Sequence, residues 1–169
     1  MSRSSLEIRR TTESDWADVR ALRLELLSDT PLAYGETLAT ASVRAEAAWR
    51  IRAARGSAPE QIQLVAIRDG KWLGTMGAYV PDSATGPVLV GVYVVPAARG
   101  DRAGVTDALL AAIEDWAAER ASTLSLIVHE QNLRARAAYV KRGFVPTGHT
   151  LPYILNPAER EMEMRKPLG

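Results

Sequence analysis

The chain contains no cysteine. That absence excludes disulfides, thiolate metal sites and a cysteine nucleophile. Histidine is almost as scarce. With only His129 and His149 present, a histidine-based metal centre is not expected. No stretch approaches the ~20 successive apolar residues that a membrane-spanning helix needs. Charge of either sign is not in excess: 21 Lys and Arg stand against 20 Asp and Glu, a net charge of +1. Such a balance supplies no long-range field for nucleic acid. The opening Met1-Ser2-Arg3-Ser4-Ser5 has no apolar core of a signal peptide, so the expectation is a cytoplasmic chain.

What is present suits one domain over residues 1–169. This length buries roughly two thirds of its unfolded surface in a single core. Leu6 to Arg10 alternates as a half-buried strand does, and Thr11 or Thr12 followed by Asp15 resembles a capped helix start. Trp16, Val19, Leu22, Leu26 and Leu27 then fall at helical spacing up to Asp29-Thr30-Pro31. A second helical region is expected from about Leu38 to Arg55. Gln61 to Arg68 and Lys71 to Val80 read as a hairpin around Asp69-Gly70. Val88 to Val95 is almost wholly apolar, the pattern of a strand buried on both faces. A loop follows, then a helix from Val105 to Arg120, a strand from Thr123 to Val128, a helix from Asn132 to Arg142 and a strand from Phe144 to His149. A last short strand is expected at Glu161 to Met164. This alternation predicts an α/β domain with a mixed sheet.

Two segments carry chemistry. Pro96-Ala97-Ala98-Arg99-Gly100-Asp101-Arg102-Ala103-Gly104 joins a buried strand to a helix start, a geometry in which free backbone N–H groups and the helix dipole receive phosphate. Arg99 and Arg102 add charged donors; the bland alternative is a polar connecting turn. In the later helix Asn132 and Tyr139, almost two turns apart, share a face with the small Ala135 between them. Taken singly, Asn132 reads as an N-cap and Tyr139 as a core residue with a satisfied hydroxyl.

Together these segments resemble the GNAT N-acetyltransferase superfamily. The resemblance rests on Val94-Val95-Pro96-Ala97-Ala98-Arg99-Gly100 with Leu109-Leu110, and on Asn132, Ala135, Tyr139, Gly143 and Phe144. It implies a largely antiparallel sheet of six or seven strands, splayed between the fourth and fifth and flanked by about four helices. It implies acetyl-CoA as co-substrate, with no metal. Backbone groups of Tyr93, Val94 and Val95 would hold pantetheine, and the amides from Arg99 through Gly100, Asp101, Arg102, Ala103, Gly104 and Val105 to Thr106 would hold the pyrophosphate. Asn132 and Ala135 would flank the pantetheine arm, and Tyr139 would protonate the leaving thiolate. The pyrophosphate loop departs from the family pattern. Either Arg102 stands where a glycine is usual, or two extra residues precede Gly104-Val105-Thr106; the second keeps Leu109 and Leu110 in phase.

The resemblance implies transfer of acetyl to a primary amine of a small molecule. Acetylation of a protein N-terminus or lysine, and a non-catalytic acyl-CoA-binding module, are the alternatives. Tyr34 and Glu36 are candidates for binding the amine, by a ring face and a carboxylate. The Val88–Val95 strand carries no acid where many relatives place a catalytic glutamate. Glu36, His129, Glu130, His149 or a relayed water are left as routes for the amine proton. Relatives are often dimers through their C-terminal strands, which leaves a homodimer open. Leu151 to Pro157, apolar between prolines, would line either an interface or the acceptor pocket.

Overall fold

In a computed structural model that describes residues 4–169, a seven-stranded sheet is ordered β1-β2-β3-β4-β5-β7-β6. Met1–Arg3, on which the expectation of a leader-free start partly rests, lie outside the described residues. The strands are β1 (Glu7–Arg10), β2 (Gln61–Arg68), β3 (Lys71–Tyr79), β4 (Val88–Val94), β5 (Thr123–His129), β6 (Val145–Tyr153) and β7 (Asn156–Pro167). Every neighbouring pair is antiparallel except β4 and β5. The helices are α1 (Trp16–Asp29), α2 (Leu38–Ser42), α3 (Glu46–Ala54), α4 (Val105–Ala118) and α5 (Leu133–Lys141).

Local chemistry accounts for most of these boundaries. The Thr12 N–H donates to the Asp15 carboxylate at 2.8 Å, which fixes the turn leading into α1. The β2–β3 hairpin turns on Asp69 (φ 53°) and Gly70 (φ 72°), both in the left-handed region that a two-residue type I′ turn requires. The sheet separates two apolar clusters. On one side α4 lays down Val105, Leu109 and Ile113, each fully buried, against Leu64, Met76 and Leu124. Burial of side chains of this size stabilises by ~1.5–3 kcal/mol each. On the other side α1 and α3 enclose Leu22, Leu26, Trp49 and Tyr34 over Tyr93.

Four expectations are revised. The helical region from Leu38 to Arg55 is two helices, because Val43 to Ala45 leaves the helix between them, which brings the helices among the described residues to five, close to the four or so expected. The Val88–Val95 strand is not buried throughout: Val90 is 40% exposed, since β5 departs after Leu89. Phe144 is buried but precedes β6, most of which is exposed as an edge strand. The last strand runs from Asn156 to Pro167. Charged residues alternating with Met162 and Met164 hide its length in the sequence.

Candidate active site

β4 and β5 pair only at Val88 with Ser125 and Leu89 with Leu126. Beyond those pairs the strands diverge around a cavity of about 480 Å³. β4 is bent there by a bulge: Tyr93 pairs with Thr75 and Val90 with Gly77, so Gly91 and Val92 together oppose Met76. Gly91 takes φ 60°, and a Cβ at that position would meet no atom within 4 Å.

The cavity is closed on one side by α5. Asn132, Ala135 and Tyr139 line it, as the almost two-turn spacing predicts. Asn132 also caps the helix, its Oδ1 accepting the Ala135 N–H at 3.2 Å, so the capping reading and the cavity placement hold together. Tyr139 packs edge-on against Phe144, with ring centroids 5.7 Å apart. Burial raises its phenol above the usual range and keeps it protonated. Its hydroxyl makes no hydrogen bond among the described residues, yet it is not sealed off from the cavity.

The loop after β4 forms the mouth. Gly104 takes φ 70° as the residue before α4, and the Ala108 N–H is the first to return, to the Gly104 carbonyl at 3.0 Å. Helical geometry leaves the N–H groups of Val105, Thr106 and Asp107 without intrahelical acceptors. Asp101 to Ala103 form a turn closed by the Ala103 N–H on the Gly100 carbonyl at 3.2 Å. The Asp101 carboxylate is taken by Lys141 of α5, which holds it below the usual carboxylate range. Arg99 reaches inward: its Nε donates to the Val94 carbonyl at 2.8 Å, and its guanidinium pairs with Asp29.

Of the residues expected at a cofactor, Tyr93, Val94, Arg99, Gly100, Asp101, Thr106, Asn132, Ala135 and Tyr139 line the cavity. Val95, Arg102, Ala103, Gly104 and Val105 do not; the Val105 side chain, at the start of α4, is fully buried in the core. Of the two residues expected to bind the amine, Tyr34 lines the cavity. Its hydroxyl donates to the Val92 carbonyl at 2.7 Å, and burial pushes its pKa up to about 12. Glu36 lies outside the lining, its carboxylate held by Arg23 at 2.9 Å, by Arg44, and by Arg52 at 3.7 Å.

Neither Glu130 nor either histidine lines the cavity. His129 is 2% exposed: its Nδ1 accepts the Gln131 N–H at 3.1 Å, and its Nε2 lies 2.7 Å from Glu159. Hydrogen-bond geometry therefore assigns the proton to Nε2 and leaves no free lone pair on the ring. His149 is exposed on β6. Among the described residues no three acidic or histidine side chains group in a way that could hold a metal ion. The sequence reading overlooked the bulge at Gly91, the Val92 carbonyl and the cationic lining residues Arg134, Lys141 and Arg142. A glycine inside an apolar strand was the available signal for the bulge.

Residues 21–144 match the profile of the Acetyltransferase (GNAT) family. The chain belongs to that family. Its chemistry is therefore acyl transfer. The same fold occurs in an acetyltransferase of the GNAT family from Streptococcus pneumoniae, with 22% identity, TM-score 0.77 and coverage of 98% of this chain and 100% of that one. PaiA N-acetyltransferase from Thermoplasma acidophilum, solved in complex with coenzyme A, is 17% identical with TM-score 0.75, over 96% of this chain and 99% of that one. Ribosomal-protein-alanine N-acetyltransferase from Brucella melitensis is 26% identical with TM-score 0.72, over 96% and 99%. No curated protein matches the chain.

The cavity of this GNAT domain fits an acyl-CoA on three observations. The β4 edge has lost its β5 partner where an extended chain would lie. The first amides of α4 are free of intrahelical acceptors. Arg134 places positive charge along the wall, where Lys141 and Arg142 are paired with Asp101 and Asp107.

Proposed function

We propose that the chain, as one acyltransferase domain, moves acetyl from acetyl-CoA to a primary amine by direct attack. The observation that carries this reading is the Tyr139 phenol, neutral and unpartnered on the wall of the gap between β4 and β5. Acetyl-CoA supplies the activated acyl group and a thiolate leaving group. The chain's residues do the rest. The edge of β4 from Val92 to Val94 orients the extended arm, with Asn132 and Ala135 packing its other side. The free amides at Val105 and Thr106 receive the pyrophosphate, and Arg134 offers further charge, Lys141 and Arg142 being paired with Asp101 and Asp107. An N–H of the bulged segment at Gly91 and Val92 faces the oxyanion. The Tyr139 hydroxyl gives its proton to the departing sulfur.

Proton removal from the amine goes to water. An alkylamine with pKa near 10.4 is roughly one part in a thousand neutral at pH 7, so the site needs a route for that proton. Among the described residues Asp101 is the one Asp, Glu or His on the cavity wall, and it is held by Lys141. The acceptor enters beside Tyr34.

Acceptance of a protein N-terminus is a second reading, favoured by the 26% identity to the Brucella ribosomal-protein-alanine N-acetyltransferase. Both readings are tested by measuring thiol release from acetyl-CoA with a panel of small amines and of peptides ending in alanine or serine. Multiple turnovers with one arm decide between them. Tyr139→Phe should lower kcat by roughly 10²-fold or more while keeping the rise in melting temperature that acetyl-CoA produces. A melting shift without turnover in either arm would instead mark a binding module.

A further inference from the structure

Glu36 is one carboxylate among too many guanidinium groups. Arg23 binds its Oε2 through Nε at 3.0 Å and a terminal nitrogen at 2.9 Å, Arg44 reaches Oε1, and Arg52 stands 3.7 Å away. Among the described residues none of these three arginines has another acidic partner, so the cluster carries a surplus of two positive charges. Arg52 is the least satisfied member. Its side chain is only 19% exposed, and it makes no hydrogen bond to the described residues, yet its nitrogens are not sealed from solvent. Burial, with the nearby charges of Arg23 and Arg55, lowers its pKa to about 10. A guanidinium removed from bulk water without an acceptor is costly, and a bound anion relieves that cost.

The position of the surplus is as informative as its sign. The Arg23 guanidinium lies 5.2 Å from the centre of the Tyr34 ring, whose hydroxyl is 2.7 Å from the Val92 carbonyl in the cavity wall. The cluster and the β4 edge are thus separated by one tyrosine side chain.

We propose, as an inference resting on the acetyl-transfer reading, that the acceptor is a small amine bearing a carboxylate or phosphate group, received by Arg52, Arg44 and Arg23. Recognition by this cluster selects against simple polyamines, which the surplus charge repels. It also favours the reactive form of the acceptor, since cations near an ammonium group lower its pKa.

Matched pairs of amines test the inference: amino acids against their carboxamides, and a phosphorylated amino alcohol against the free amino alcohol. For each pair, kcat/KM is measured by thiol release, and affinity for the coenzyme A-loaded protein is measured separately by calorimetry. The expected result is at least tenfold preference for the anionic member, lost in Arg52→Gln and reduced in Arg44→Gln. The preferred anion, carboxylate or phosphate, identifies the source. Arg52→Gln removes an uncompensated charge and should not lower the melting temperature; Arg44→Gln, more exposed, serves as the second variant. Turnover of neutral and anionic amines alike would overturn the inference and leave acetyl transfer standing. Selective binding of the anionic member without turnover would uphold the anion site and overturn the transfer reading. No preference in either measurement would overturn the inference.

Discussion

The hydroxyl of Tyr153 donates to the main-chain carbonyl of Tyr34 at 2.7 Å, across a separation of 119 residues. The Tyr34 hydroxyl in turn holds the Val92 carbonyl at 2.7 Å. Two hydrogen bonds thus tie the end of β6, the loop after α1 and the bulge of β4 into one unit. His129 steadies it from below, its ring edge-on to Tyr153 at 4.8 Å. The Tyr34 side of the cavity is therefore built on the C-terminal hairpin as well as on the helices.

Tyr153→Phe removes the donor and leaves the Tyr34 carbonyl buried without its partner. The expected loss of stability is about 1–3 kcal/mol, the cost of an unsatisfied buried polar group. For a chain of this length each kcal/mol is roughly 2–4 °C in melting temperature. Because the α4 and α5 walls are untouched, the affinity for acetyl-CoA should hold while KM for the amine rises. Equal losses in both affinities would show that the tie supports the whole cavity.

Glu36 gives the fold a pH dependence. Burial raises its carboxyl, but the Arg23 hydrogen bond and the charges of Arg23, Arg52 and Arg44 outweigh burial and hold its pKa below the usual value of 4.5. A carboxyl depressed on folding stabilises above its unfolded pKa, and that contribution disappears as pH falls through the folded one. The melting temperature should therefore fall on acidification below about pH 4.5. The gap between the natural chain and Glu36→Gln should be widest at pH 6–7 and narrow as pH approaches 3. A gap independent of pH would remove the carboxylate's charge from the explanation.

The α5 and loop side of the cavity was legible in the sequence, and the Tyr34 side much less so. Asn132, Ala135 and Tyr139 share a helix face by spacing alone, and Pro96 to Gly104 joins a strand to a helix by composition alone. Such features are local. Tyr34 and Tyr153 meet only through the sheet order, and nothing in Leu151 to Pro157 marks Tyr153 as the donor. Glu36 showed as a carboxylate open to an amine because Arg23, Arg44 and Arg52 come from different segments. Their convergence turns a site for cations into one with surplus positive charge. The full length of β7 was hidden for another reason: it lies between β5 and β6, where Met164 is buried and charged neighbours point outward.

Asp101 is the residue by which this loop differs most from a simple anion cradle. Its carboxylate sits on the wall of the mouth and occupies Lys141, a cation that would otherwise be free for phosphate. Asp101→Asn releases Lys141 and deletes a repelling charge. The dissociation constant for acetyl-CoA should fall a few-fold at low ionic strength. The gain should shrink at 0.5 M salt, where exposed charges are screened over a few ångströms. Weaker binding by Asp101→Asn would mean that the ion pair shapes the loop, and that its order matters more than its charge.

Gly91 and Gly70 provide a matched comparison. Both take positive φ, 60° and 72°, and a Cβ at either would meet nothing within 4 Å. Alanine in the left-handed region costs about 1–2 kcal/mol at each position, by backbone strain alone. The two variants should therefore lose similar stability, several degrees in melting temperature. They differ in place. Gly70 turns the β2–β3 hairpin, whereas Gly91 lines the cavity at the point where β4 parts from β5. Gly70→Ala should keep the full melting shift produced by acetyl-CoA. Gly91→Ala should lose part of that shift, and Gly91→Val more, because each added carbon enters space that the acyl chain needs. If Gly91→Ala instead kept the shift that Gly70→Ala shows, the bulge would serve the geometry of β4 only, and the acyl group would lie elsewhere along the gap.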